Sequence, residues 1–281
     1  DGLTYTYKIR KGVKWYDADG EEHGEVTAHD FVTGLKHAAD KKSETLPLVQ
    51  GSVKGLKDYV DGKITDFSQV GVKAVDDYTL EYTLNQPETF WNSKTTNGVL
   101  MPINGEFLES KGDNFGQPGD VKSILFNGPF LLKSITSKSE ITFEKNEDYW
   151  DKDNVHIDKI KLSYYDGSDQ DSLARGFSDG SYTVARLFPA SSNFASVEKK
   201  YKDNIYNTQP GAGVAVFGFN IDRQAYNHTS KTSDEQKSST KKAILNKNFR
   251  QAITFALNRE NYSAQVNGKE YAKAAIRNMY T

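Results

Sequence analysis

Cysteine is absent from this 281-residue chain, which removes disulfides, thiolate metal sites and cysteine nucleophiles from consideration. Charge of one sign is also missing: 36 Lys and Arg stand against 38 Asp and Glu, a formal net charge of −2, which argues against a polyanion as the main partner. No apolar run approaches the roughly 18 residues of a membrane-spanning helix, and no signal-peptide core is present. What is abundant is the composition of a folded globular chain, 36% hydrophobic and 26% charged, long enough for one large domain or two. Aromatics are plentiful, with 16 Tyr and 15 Phe. They suit half-buried strand positions and, in smaller number, the wall of a binding cavity.

The pattern predicts mixed strands and helices without an internal repeat. Tyr5, Tyr7 and Ile9 alternate with Thr6, Lys8 and Arg10, the period of a strand with one buried face over 4–10. After an acidic turn, Thr27 and Asp30 have capping-box spacing, and Phe31, Val32 and Leu35 share one face of a helix over 28–39. A helix-leaning stretch follows around Leu46–Val60. A hairpin then turns at Asp76 and Asp77, with Leu80 and Tyr82 facing inward and Pro87 ending the strand. A second hairpin is predicted over Phe130–Phe143, turning through 136–139. Ser168 and Asp171 should cap a helix carrying Leu173 and Phe177, with strands at Tyr182–Leu187 and Val214–Ile221 after it. The polar run Tyr226–Lys247 reads as an exposed loop, and Phe249, Ile253, Ala256 and Leu257 mark a last helix.

Some patterns imitate chemistry. Gly176-Phe177-Ser178-Asp179-Gly180 matches the G-x-S-x-G nucleophile elbow, which requires a strand before the serine and a helix after it. Here a helical run precedes and a strand-like run follows, so a turn at Gly180 is the better reading and a serine hydrolase using Ser178 the weakest function. His23, His29, His37, His156 and His228 have no metal-ligand spacing. The acidic groups Asp17, Asp19, Glu21, Glu22 and Asp148, Asp151, Asp153 lack a calcium loop's glycine position and read as solvated turns. Asn227 and Asn261 fit the glycosylation sequon, a three-letter pattern that arises by chance. No cofactor and no metal are expected.

Six blocks in one order carry a more specific signal: R-K-G-V-K-W with V-T-A-H-D-F-V, then VKAVDDYTLEYTLNQP, FNGPFLLKS, FEKNEDYWD, VAVFGFNI and NFRQAITFALNRENYSAQV. Together they resemble the extracellular solute-binding proteins of the oligopeptide-binding family. The resemblance implies a mixed α/β chain with the type II periplasmic-binding-protein fold: two lobes and an extra peripheral domain, incomplete here. Residues 1–104 would form most of the peripheral domain, 105–212 part of the first lobe, and 213–281 a crossing strand and the start of the second.

The implied function is non-catalytic: binding an oligopeptide for an ABC permease, with a surface peptide sensor or adhesion receptor as the alternative. It implies a monomer on the outer face of a Gram-positive membrane, without nucleic acid. Gram-positive members carry one lipidated cysteine at the mature N-terminus, so the true start is expected upstream of Asp1. By the same resemblance Asn97, Arg186, Phe217 and Phe219 are candidates for the wall of the peptide cavity, although core packing accounts equally well for the two phenylalanines.

Overall fold

The structure, a computed structural model, describes residues 2–206 and 216–276. The chain separates into two compact units, Asp1–Tyr165 and Asp166–Thr281, described in turn.

In the first unit β1 (Thr4–Lys8) is followed by β2 (Lys14–Tyr16), β3 (Glu22–Glu25), α1 (Ala28–Asp40) and α2 (Leu56–Val60). Then come β4 (Val72–Asp76), β5 (Thr79–Thr83), α3 (Trp91–Lys94) and α4 (Gly105–Lys111), and finally β6 (Phe130–Thr136), β7 (Glu140–Lys145) and β8 (Lys159–Ser163). β1 alternates as expected: Thr4, Thr6 and Lys8 are exposed, while Tyr5 and Tyr7 are half-buried against the core. It ends at Lys8, two residues short of the predicted limit, although the Ile9 amide still reaches the Tyr78 carbonyl at 2.8 Å.

An antiparallel sheet in the order β1-β5-β4 brings Tyr5, Tyr82 and Val72 into one row and Tyr7, Leu80 and Ala74 into the next. α1 packs across β4 and β5 and buries Leu35 completely. Gly34 permits that helix to meet the chain after α3, since a side chain there would collide with the Met101 carbonyl oxygen. The stretch 46–60 supplies Leu46, Val49, Val53 and Leu56, all fully buried. Burying each such side chain stabilises by about 1.5–3 kcal/mol. Trp91 and Tyr82 sit edge-on in the same core, their ring centres 5.3 Å apart. Every member of this core lies between Tyr5 and Leu100.

The hairpin predicted over Phe130–Phe143 forms as β6 and β7, turning where the Ser139 amide meets the Thr136 carbonyl at 3.0 Å. β8 adds a third strand that no sequence signal had marked.

The second unit contains α5 (Gln170–Ser178), α6 (Phe194–Lys200), α7 (Asp234–Leu245), α8 (Lys247–Ala256) and α9 (Arg259–Asn267). The cap of α5 is Asp169, not Ser168: its carboxylate accepts from the Asp171 and Ser172 amides, while Ser168 turns back onto Asp166. No strand forms over 182–187, because no extended segment among the described residues pairs with it. Of the strand predicted over 214–221, residues 214 and 215 lie outside the described residues and 216–221 are irregular.

The expected loop over 226–247 is half helix. Ser233 and Gln236 form a capping box for α7, and the run DEQKSSTKKAIL is helical by propensity and caps without an apolar stripe to announce it. α8 lies where the last helix was predicted.

Candidate ligand-binding site

One constellation joins β2 to the start of α1. The Trp15 indole N–H donates to the Asp30 carboxylate at 3.0 Å, and the Thr27 amide donates to the same oxygen at 2.9 Å. Asp30 thus clasps the K-W strand to the first turn of α1. Burial pushes its carboxyl up, against the pull of the Thr27 and Trp15 hydrogen bonds. This pair of motifs is a structural joint, since every acceptor position in use faces the protein itself.

Beside the joint the Arg10 guanidinium lies over the Trp150 ring at 3.8 Å from its centre. Both residues line a cavity of 380 Å³ whose wall also includes Tyr7, Lys8, Phe31, Tyr82, Thr95 and Leu100. Tyr7 donates its hydroxyl to the Asn92 side-chain oxygen at 2.7 Å, and burial raises the phenols of both Tyr7 and Tyr82.

The four residues expected to line a peptide cavity fall in two places. Asn97, in the first unit, is half-buried and caps the turn at 98–100, its side-chain oxygen accepting from the Val99 amide at 3.1 Å. It stands between Thr95 and Leu100, which line the 380 Å³ cavity, without lining it. Arg186, Phe217 and Phe219 belong to the second unit. Arg186 is exposed and stacks on Phe188 at 4.6 Å. Phe217 and Phe219 meet edge-on at 5.2 Å, with Phe217 71% exposed, so core packing among the described residues does not account for it.

Ser178 is the last residue of α5, with Gly176 inside the same helix, so the strand that must precede a nucleophile elbow is replaced by a helix. Its hydroxyl oxygen accepts from the Tyr201 hydroxyl at 2.9 Å. His23 pairs with Asp17 and His29 with Asp77, each at 3.3 Å, and His37 meets Phe115 edge-on. No group of three or more His, Asp or Glu able to hold a metal occurs among the described residues. In the acidic turn Asp17 accepts from the Asp19 and Glu21 amides and Asp19 pairs with Lys122 at 2.6 Å, so these carboxylates serve the turn. Arg10, Trp150 and Tyr7 had not been singled out as site residues. Their signal was present, since Arg10 and Trp150 fall within two of the ordered blocks, but no spacing rule joins residues 140 positions apart.

Comparison with known proteins extends these observations. The profile of the bacterial extracellular solute-binding proteins, family 5 Middle, matches residues 1–281. The oligopeptide-binding protein AmiA of Streptococcus pneumoniae is 65% identical over all of this chain, which spans 42% of that protein's length. Among solved structures, Listeria monocytogenes OppA bound to peptide is 31% identical with a TM-score of 0.60, covering 72% of this chain and 37% of its own. The pheromone receptor PrgZ, in a structure describing its mode of peptide binding, is 26% identical with a TM-score of 0.73. That match covers 94% of this chain and 47% of its own.

Proposed function

The chain belongs to the bacterial extracellular solute-binding proteins of family 5, and from that premise we propose that it serves a protein that binds oligopeptides and delivers them to an ABC permease. The observation that carries this reading is the 65% identity to an oligopeptide-binding protein along every part of the chain. Because the chain spans 42% of that relative, the peptide site is one to which it contributes, with Asn97, Arg186, Phe217 and Phe219 as its wall. In this reading 1–104 belong to a peripheral domain, 105–212 to the first lobe, and 213–281 to the passage into the second.

The chemistry is binding without bond-breaking. A peptide of arbitrary sequence is held through its main chain, with its side chains in roomy hydrated pockets. Micromolar affinity needs about 8 kcal/mol. Main-chain hydrogen bonds at roughly 1 kcal/mol net each fall short of that, so lobe closure must also bury apolar peptide surface. The exposed Phe217 side chain suits that burial. The protein acts as a monomer on the outer face of a Gram-positive membrane, held by a lipid anchor upstream of these residues, without nucleic acid or cofactor and without hydrolytic chemistry at Ser178.

A second reading, a surface peptide receptor that signals instead of importing, draws on the similarity to PrgZ, which covers 94% of this chain. Mass spectrometry of the ligand carried through purification of the full-length protein, followed by calorimetry with an oligopeptide pool, tests both. Peptide uptake lost on deletion supports the importer. Recovery of a sugar, haem or metal in place of peptide overturns the proposal.

A further inference from the structure

The cavity between β1, α1 and Trp150 lies wholly within the first unit. We propose that it is a separate subsite for a small apolar carboxylate, with the carboxylate on Arg10 and the aliphatic or aromatic body against Tyr7, Phe31 and Leu100.

Size permits it, since 380 Å³ falls within the range of about 300–1,000 Å³ typical of small-molecule pockets. The wall is mainly apolar, with Ile9, Val13, Phe31, Leu80 and Leu100 offering a surface for a hydrocarbon body. Charge selects the head group. The Lys8 ammonium donates to the Thr79 hydroxyl at 2.7 Å, and the Lys11 ammonium lies over the Tyr78 ring at 4.7 Å. Arg10 forms no ion pair among the described residues, and its exposed guanidinium keeps its edge donors open while its face rests on Trp150. A planar fork held by stacking matches one carboxylate through two parallel hydrogen bonds.

The ligand is a carboxylate with a compact apolar body, either a free carboxylic acid or the C-terminal residue of a peptide. Trp150 reports its arrival. It is 46% exposed, whereas Trp15 and Trp91 are buried, so collisional quenching of tryptophan fluorescence falls mainly on Trp150.

The test titrates the protein with 3-phenylpropionate, its amide, and a tripeptide ending in phenylalanine, at millimolar concentration, and follows protection of Trp150 from iodide and acrylamide. Protection by the acid and not the amide is expected, weakened about tenfold in Arg10→Gln and also weakened in Arg10→Lys, which keeps the charge but loses the planar fork. Arg10 is exposed, so the variants fold, and their unfolding midpoints verify this. Protection by the tripeptide alone identifies a peptide terminus as the source, while protection by the free acid identifies a small metabolite. Equal protection by acid and amide, undiminished protection in Arg10→Gln, or none with any probe overturns the proposal.

Discussion

Residues 28–100 bury sixteen apolar side chains in one cluster, while residues 166–276 contain only four buried residues among those described: Ala174, Gly176, Ser263 and Ala272. The two regions do not differ in having apolar residues at helical spacing. α1 and α8 are both amphipathic, but α1 finds the sheet of β1, β5 and β4, whereas α8 touches α7 and leaves Phe249, Phe255 and Leu257 exposed. An apolar stripe stabilises a fold only when something covers it. The comparison predicts a first region whose stability resides in packing and a second whose helices rest on caps and local hydrogen bonds.

The largest expected effect is at Leu80, which is 3% exposed: Leu80→Ala should lower the unfolding free energy of the first unit by about 2–5 kcal/mol in urea titration. An unchanged midpoint would mean that β5 does not face the core. Gly34→Ala comes next. The added methyl meets the Met101 carbonyl oxygen, a backbone atom that cannot step aside, and overpacking of this kind costs about 1–3 kcal/mol. Equal stability of that variant would show the 98–103 segment free to move away from α1.

A pH-dependent effect follows from Glu88, 8% exposed and paired with Lys94 at 2.7 Å. Burial alone would raise its carboxyl, but the hydrogen bonds from Lys94 and Ser52 prevail and hold it below the ordinary 4.5. The unfolded chain therefore takes up this proton first as pH falls. The pair's contribution is present above 4.5 and disappears as pH drops through the lower folded value. The stability difference between parent and Lys94→Met should accordingly shrink from neutral pH to acid, and a constant difference would remove Glu88 as the cause.

In the second region Ser233→Ala should cost about 0.5–2 kcal/mol through the lost cap of α7. Hydrogen exchange should accelerate in α7 while α1 stays unaffected, and a change spreading into α1 would break the comparison. The smallest effect belongs to Phe255→Ala. At 84% exposure the ring has little to lose, and stability of this chain should move by no more than about 0.5 kcal/mol.

The elements that were legible in the sequence are those whose pattern and packing agree. The alternation of Tyr5 and Tyr7, the Thr27–Asp30 cap and the Asp76–Asp77 turn all reappear at or close to their predicted places. The elements misread are those in which local and tertiary signals separate. The segment at 182–187 has strand residues and no partner to pair with among the described residues, and α7 has helix caps without an apolar stripe. Of the site, the residue types were visible but not their neighbours: Arg186 was found without Phe188, and Arg10 and Trp150 were read as parts of separate blocks.

The sequence by itself determined the family, through the order of its blocks, and the presence of α1, α5, α8 and the two hairpins, because periodicity, caps and turn residues act within a few positions of one another. Only the tertiary structure decided which apolar faces are covered, that β8 joins the β6–β7 hairpin, that Trp15 spends its N–H on Asp30, and that Arg10 rests on Trp150 at the edge of a cavity. Those outcomes depend on contacts between residues distant in the chain, where loop closure and burial set the free energy and no local spacing records the partner.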